Sequence, residues 1–410
     1  MTGEERARNL RALAGTGLLG GFAHMMLFAV WQPFVLSLGV PMSTLGLLES
    51  LGGRQGLSAT LTQPLAGQLA DRVGRRPLIL LGHALTVLAV GLYAVAALSR
   101  EWRWLLPGVL LLGLAMIASP GRVSLIQESA EAGQDGAAHA MTMAWWVAPG
   151  VIAPALGGYM ASHAGFVPVM VLRVFLEALC LLLLVAWLRE TRRETSAWRG
   201  GLSWRSGLSQ LIDLSKELRG FAVAVAVEAF AWGLGAVLLF GMLSQAYGFT
   251  TVQLGVMLSL QCALWAVIQV PMGRWVDRYG CKRLMLLSDA IGLAVLAGWL
   301  SSRSFAGFAL WYAVYALVYA TWGPAYRTFA SRRVPEARRA EVMGWLEASS
   351  GLVRFAAPYL GGLLFERFGF RAPLWANVAG LVVALLAIWL GVEEAEPRTG
   401  MAAAAEGDVA

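Results

Sequence analysis

Charge is the first thing this sequence lacks. Of its 410 residues only 14% are Asp, Glu, Lys or Arg, against about a quarter in a soluble domain. So few charges cannot clothe a water-facing surface of this length, which excludes an ordinary soluble enzyme or binding module. Cysteine is nearly absent as well. Cys180, Cys262 and Cys281 follow no metal or disulfide spacing, and packing is expected of them, the first two inside apolar spans and the third on a loop. The chain has no glycine loop for nucleotide phosphates, no metal-ligand cluster and no nucleophile elbow. These absences speak against an ATP-driven pump, a cofactor and an enzyme. No small-residue cleavage site follows the basic start "MTGEERARNLRALAG", so the first apolar run is expected to remain as its own insertion signal.

What the chain has is apolar length. Hydrophobic residues make up 58% of it and the mean hydropathy is +0.63. Runs such as "LILLGHALTVLAVGLYAVAAL" (Leu78–Leu98) and "VLRVFLEALCLLLLVAWL" (Val171–Leu188) are long enough to cross a bilayer as helices. Hydrocarbon offers no partner to a backbone amide, so a spanning segment must satisfy its own hydrogen bonds, and helices do. Spans are expected near 12–38, 44–66, 78–98, 104–128, 139–161, 167–188, 220–245, 251–272, 284–301, 305–328, 340–364 and 371–392. The fold class is therefore an all-α membrane protein of twelve transmembrane helices.

Basic residues orient it. With the N-terminus inside, 22 of the 32 Lys and Arg fall on cytoplasmic segments and five on outer loops, which places both termini in the cytoplasm of a multi-pass protein of the cell's inner membrane. The net charge of +7 then serves contact with anionic membrane lipids rather than nucleic acid. The least apolar stretch, 189–219, carries seven of those basic residues and divides the chain into halves, 1–188 and 220–392. The Ala-, Glu- and Gly-rich tail 393–410 is expected to be disordered.

The halves repeat each other. "GQLADRVGRR" (Gly67–Arg76) returns as "GRWVDRYGCK" (Gly273–Lys282). Upstream, Gly39, Leu45 and Gly46 match Gly248, Leu254 and Gly255; downstream, Pro154, Gly157, Gly158, Gly165 and Phe166 match Pro358, Gly361, Gly362, Gly369 and Phe370. Two six-helix halves of like topology form a transporter architecture, with a site between them near the midplane and alternating access by rocking one half on the other.

"GQLADRVGRRPLIL" resembles the loop 2–3 signature of the major facilitator superfamily at every fixed position, and "GRWVDRYGCKRLML" resembles its weaker counterpart between helices 8 and 9. The resemblance covers nearly the whole chain. It implies the major facilitator fold, two pseudo-symmetric halves and secondary transport. In span 5, "PGVIAPALGG", with Pro154, Gly157 and Gly158, is similar to the Gly-Pro-x-x-Gly-Gly motif of the drug/proton antiporters, with Ala153 in place of the first glycine. Proline removes a backbone donor and kinks the helix, and the glycines admit close neighbours. The buried arginine that many such antiporters carry in helix 4 is replaced here by Val109.

The repeated loops suggest a conformational latch built from Gly67, Asp71, Arg72, Gly74, Arg75 and Arg76, and from Gly273, Asp277, Arg278, Gly280 and Lys282. A carboxylate at a helix C-terminus opposes its own dipole and favours the N-terminus of another helix. The resemblance implies that Asp71 faces the start of helix 11, near Glu341, and Asp277 that of helix 5, near Ala138–Ala140, closing the cytoplasmic side. The alternative is that the loops set topology alone.

Ionisable residues within spans are costly to expose to lipid and read as functional. Glu228 is the leading proton site, and His24 is either a second one or a packed core residue. Glu49 and Arg54 in span 2 stand at heights that match Arg354 and Glu347 in span 11. They form two ion pairs across the interface, or one of them binds a ligand or a proton. Arg173 and Glu177 are spaced to neutralise each other, and Arg122 and Glu128 both approach the cytoplasmic face. Trp311, Tyr315, Tyr319 and Trp322 form a stripe on span 10 that is either packing or the wall of a cavity for an aromatic or amphipathic ligand.

The expected function is secondary active transport of a small amphipathic organic molecule by alternating access, with protons as the coupled ion and export as the direction. A monomer is expected. The alternative is facilitated or symport uptake of a polar or anionic metabolite, with Arg54 or Arg354 as its ligand. A membrane sensor is disfavoured, because the sequence holds neither an added soluble domain nor a long ligand-binding loop.

Overall fold

The computed structural model describes residues 3–52, 56–131, 134–191, 216–334 and 339–393. Arg54, most of the central linker and the tail from residue 394 lie outside it, as do the side chains of Asp71, Gly273, Asp277 and Glu341. Every described element is helical, and the helices form twelve passes. In chain order, passes 1 to 6 are Gly3–Ser37; Met42–Leu51 with Leu57–Val73; Arg75–Ser99; Leu105–Leu114 with Ala118–Ser129; Asp135–Val147 with Ala153–Ala164; and Phe166–Trp187. Passes 7 to 12 are Lys216–Leu234 with Leu239–Tyr247; Thr251–Tyr279; Cys281–Ser301; Phe305–Arg333; Arg339–Arg354 with Ala357–Phe368; and Arg371–Gly391.

Among the described residues ten helices are individually long and apolar enough to cross a membrane. Passes 2 and 11 supply the other two in pieces. In pass 2 the helix ends at Leu51 and resumes at Leu57; in pass 11 it ends at Arg354 and resumes at Ala357. Both places were expected to be continuous helix. The fifth pass is interrupted too: Pro149 and Pro154 leave a short 3-10 turn, Ala148–Val151, between its two segments, as a residue without an amide hydrogen requires.

Exposed apolar side chains ring the bundle, among them Leu88 on pass 3, Phe175 and Leu182 on pass 6 and Leu390 on pass 12. In water this would be an aggregation hazard; in lipid it is the expected outer face. The three cysteines are buried and none is in a disulfide. Cys281 is the first residue of pass 9 rather than part of a loop.

The helices lean on small residues for close contact, as membrane bundles do. The sequence repeat becomes a reciprocal set of contacts between halves. A Cβ on Gly46 would stand 2.2 Å from Pro358 O, and one on Gly255 2.3 Å from Pro154 O. Likewise a Cβ on Gly158 would meet Thr251 O at 2.2 Å, and one on Gly362 would meet Met42 O at 2.5 Å. Only hydrogen fits at these four points. Gly157 and Gly361 make the same approach within each half, to Met26 O and Leu234 O.

These contacts close the far end of the bundle, opposite the chain termini. Hydrogen bonds reinforce them there. Ser43 N–H donates to Glu366 Oε1 at 2.7 Å, Thr251 Oγ1 to Gly158 O at 2.8 Å, and Gly241 N–H to Gln32 Oε1 at 2.7 Å. Passes 2 with 11, 5 with 8, and 1 with 7 therefore meet across the interface at the end remote from the termini.

Candidate functional site

The terminal end holds the two repeated loops. Gly74 and Gly280 occupy the same backbone conformation, φ 109° and 85° with ψ near 160°, a region open essentially to glycine alone. The first loop is tied into its own half. Arg75 pairs with Glu128 of pass 4 at 3.0 Å. Glu190, just after pass 6, accepts from Arg75 N–H at 3.2 Å and Arg76 N–H at 3.0 Å. A carboxylate over the first amides of pass 3 satisfies orphan donors and opposes the positive helix end. Arg76 also donates to Val185 O at 3.0 Å, and the Thr191 hydroxyl bonds to Glu128.

Glu128 thus belongs to Arg75 and not to Arg122, its neighbour in sequence. In the second loop Lys282 donates to Trp389 O at 2.8 Å and Arg278 lies over the Tyr279 ring. Asp71 and Asp277 sit in the last turns of their helices as expected, but the side chains that would make a latch lie outside the described set. Gly67 faces pass 4, its nearest neighbour being Pro120.

Inside the C-terminal half is an acidic and aromatic cluster. Glu228 on pass 7 is buried, and the Trp232 indole one turn further on hydrogen-bonds to it. Trp232 packs against Gly292 of pass 9. Passes 7 and 9 run parallel, so Asp289, one turn below Gly292, reaches the level of Glu228, one turn below Trp232. Asp289 is fully buried, and neither carboxylate oxygen has a hydrogen-bond partner among the described residues. Arg354 and Tyr319 lie within electrostatic reach of Glu228. Trp232 and Tyr315 rings are 4.9 Å apart, Tyr315 and Tyr319 are 4.8 Å apart, and their hydroxyls bond at 3.1 Å.

The stripe on pass 10 divides, with Tyr315 and Tyr319 beside Glu228. Its third neighbour is Tyr312, in ring contact with Tyr315 and Trp299, while Trp311 stacks on Gly298 of pass 9 and Trp322 packs in a separate apolar cluster nearer the terminal end.

Of the two pairs offered between passes 2 and 11, Glu49 with Arg354 gives way to partners on pass 1, and Arg54 with Glu347 rests on a residue outside the described set. Glu49 accepts from Trp31 Nε1 at 3.1 Å and Gln32 Nε2 at 3.2 Å, both on pass 1. Arg354 stands in the field of Glu228, Tyr319 and Glu347. Arg54 lies outside the described residues. Gln32 spans the interface as well, donating to Val237 O of the other half at 2.5 Å.

The N-terminal half holds a cavity of about 230 Å³ between passes 1, 3, 4, 5 and 6. His24, His83, Arg122, His139, Arg173 and Glu177 all line it. Arg173 and Glu177 pair as their spacing predicts, at 3.8 Å, and His83 Nδ1 lies 4.0 Å from the same carboxylate. His24 packs against Trp146 with ring centroids 5.7 Å apart. Sequence reasoning misses this grouping, because its members come from five helices. One signal is present: three of the chain's four histidines sit in apolar spans, and all three line this cavity.

Curated relatives are distant but long. Multidrug resistance protein MdtG of Enterobacter lignolyticus (strain SCF1) is 24% identical over 365 residues, 86% of this chain and 83% of its own. MdtG of Salmonella arizonae is 21% identical over 332 residues, 80% of each chain. Among solved structures, a point mutant of nucleoside transporter NupG superposes with a TM-score of 0.76 at 14% identity, covering 94% of this chain and 100% of its own. A bacterial homolog of the human lysosomal transporter Spinster, inward-facing and occupied, gives 0.73 at 16% identity, covering 95% and 97%. The Major Facilitator Superfamily profile matches residues 13–219 and 221–406. Nearly the whole chain thus matches that family in sequence and in fold, and the protein belongs to the Major Facilitator Superfamily of membrane transporters.

Proposed function

We propose that the protein exports small amphipathic organic molecules across the inner membrane in exchange for protons. The observation that carries this reading is Glu228, a buried carboxyl among Trp232, Tyr315 and Tyr319 with Arg354 in range. The curated relatives named for multidrug resistance support the direction and the breadth of cargo.

In this reading the terminal end faces the cytoplasm. With the far end closed on its glycine contacts, cargo enters between the halves from the cytoplasm and meets an aromatic wall. Ionised Glu228 and cargo compensate each other in a low-dielectric site. After the halves rock, a proton from outside takes the carboxylate, removes that compensation and releases the cargo. Closure of the cytoplasmic end brings Asp71 to the start of pass 11 and Asp277 to that of pass 5, each contact contributing about 0.3–2 kcal/mol. Such contacts bias a two-state equilibrium without locking it. The protein works as a monomer in this scheme, because each half supplies the other's partner surface.

The test is proteoliposome transport of an amphipathic compound panel under an imposed pH gradient. Wild type should concentrate substrate in response to the gradient. Glu228→Gln should lose that response while still equilibrating substrate between the two sides. A variant that still follows the gradient would remove Glu228 as the proton site. A wild type indifferent to the gradient would favour facilitated movement.

A further inference from the structure

We propose that the cavity inside the N-terminal half is a binding pocket for a small aromatic carboxylate, with Arg122 as the anion's partner. The cavity is lined by passes of one half, opens at its rim, and is separate from the aromatic residues of pass 10. Its charge is basic. Arg122 and Arg173 are fixed cations, since a guanidinium keeps its proton, and His24, His83 and His139 can add to them. Glu177 is the carboxylate among the lining residues, and it is engaged by Arg173 and His83.

Arg122 is different. It donates to the Leu13 carbonyl at 3.2 Å, and among the described residues no carboxylate stands within ion-pair distance of it. A guanidinium has five donors in a planar fork suited to a bidentate carboxylate. Glu177 acts on this partly buried guanidinium only from beyond ion-pair distance and is shared with Arg173 and His83; a cation so placed in a membrane protein is costly, and an anionic ligand would offset that cost.

Shape narrows the ligand. A dry cavity of about 150 Å³ accepts benzene; this one, at about 230 Å³, has room for one aromatic ring and an acid group. The His24 and Trp146 rings, in tilted contact, and the methyl-bearing Thr86, Leu112 and Met116 supply the apolar wall. The ligand reaches it from the interface between halves. His139 and Met143 on the rim are partly exposed, and His139 lies in the field of Arg327 on pass 10.

The claim here is one of binding, and it stands apart from the export reading, whose cargo answers the charge of ionised Glu228. The test is therefore equilibrium binding to the full-length protein in detergent, with no gradient. Three near-isosteric probes differ only in charge: benzoate, benzamide and benzylammonium. Benzoate should bind at least tenfold more tightly than the other two. Arg122→Gln should weaken benzoate by about 10- to 100-fold, the range of a charge-assisted bond, and leave benzamide little changed. Arg122→Lys should retain most of the affinity. Ser119→Phe, which fills the cavity without touching the charge, should abolish binding of all three.

Equal affinity for benzoate and benzamide would overturn the proposal, as would no benzoate binding or benzoate binding indifferent to both Arg122→Gln and Ser119→Phe. Should benzoate bind as expected while transport ignores the pH gradient, the pocket stands and the proton-coupled reading falls.

Discussion

The two halves share a scaffold and differ in what they bury. Gly46 and Gly255, Gly157 and Gly361, and Gly158 and Gly362 occupy equivalent places and make equivalent contacts, and Gly74 and Gly280 share one backbone conformation. The interiors diverge. The N-terminal half gathers His24, His83, Arg122, His139 and Arg173 around a cavity; the C-terminal half buries Glu228 and Asp289 among tyrosines and tryptophans. Duplication kept the residues that let helices slide and lock, because a Cβ at those points would strike a carbonyl. It left the side chains that meet cargo free to change. In the readings proposed above, one half takes an anion and the other a proton.

The largest expected effect tests the shared part. Gly46→Ala and Gly255→Ala place a methyl within about 2.3 Å of a proline carbonyl in the opposite half, too close for either backbone to tolerate. Each should prevent closure of the far end and cut transport at least tenfold at normal membrane abundance, and by similar amounts. Gly91→Ala, where nothing lies within 4 Å, should transport normally. If Gly46→Ala is silent while Gly255→Ala is dead, the halves are not equivalent hinges and the symmetric picture breaks.

A smaller effect tests the divergent part. Asp289 is fully buried with both oxygens unpartnered among the described residues, an arrangement that costs stability of about 1–3 kcal/mol. Asp289→Asn removes the charge at constant shape and should raise the melting temperature of the purified protein by a few degrees. A fall in melting temperature for Asp289→Asn would mean that the carboxylate is held by a partner, and would remove the strain assigned to the acidic cluster.

The scaffold is legible in the sequence for the reason that it repeats. Twelve apolar runs, two copies of one charged loop and two copies of a proline–glycine segment are local patterns, and hydrocarbon leaves a spanning segment little choice but helix. Passes 2 and 11 are less apolar than the rest, and their breaks after Leu51 and Arg354 escape a reading based on run length. The site is less legible. Arg173 with Glu177 can be read because one helical turn joins them. Glu128 pairs instead across helices with Arg75, 53 positions earlier, through the packing of pass 3 on pass 4, which no spacing within one helix reveals. Matching depth offers Glu49 to Arg354, and depth says nothing of rotation about the helix axis. Trp31 and Gln32 take that carboxylate instead.

The smallest effect separates the two loops. Gly74 and Gly280 share a backbone region that costs another residue about 1–3 kcal/mol, so alanine at either should lower the melting temperature. At Gly74 a carboxylate also stands close. A Cβ on Gly74 would stand 2.7 Å from Glu190 Oε2, the carboxylate that caps pass 3 through Arg75 N–H and Arg76 N–H. Gly74→Ala therefore disturbs a cap as well as a dihedral, and should cost about 1 kcal/mol more than Gly280→Ala. Glu190→Gln lowers stability by itself and should shrink that gap when combined with Gly74→Ala, since the two changes act on one interaction. Strict additivity would show that the loop glycine is required for its dihedral alone, and that the two copies carry the same load after all.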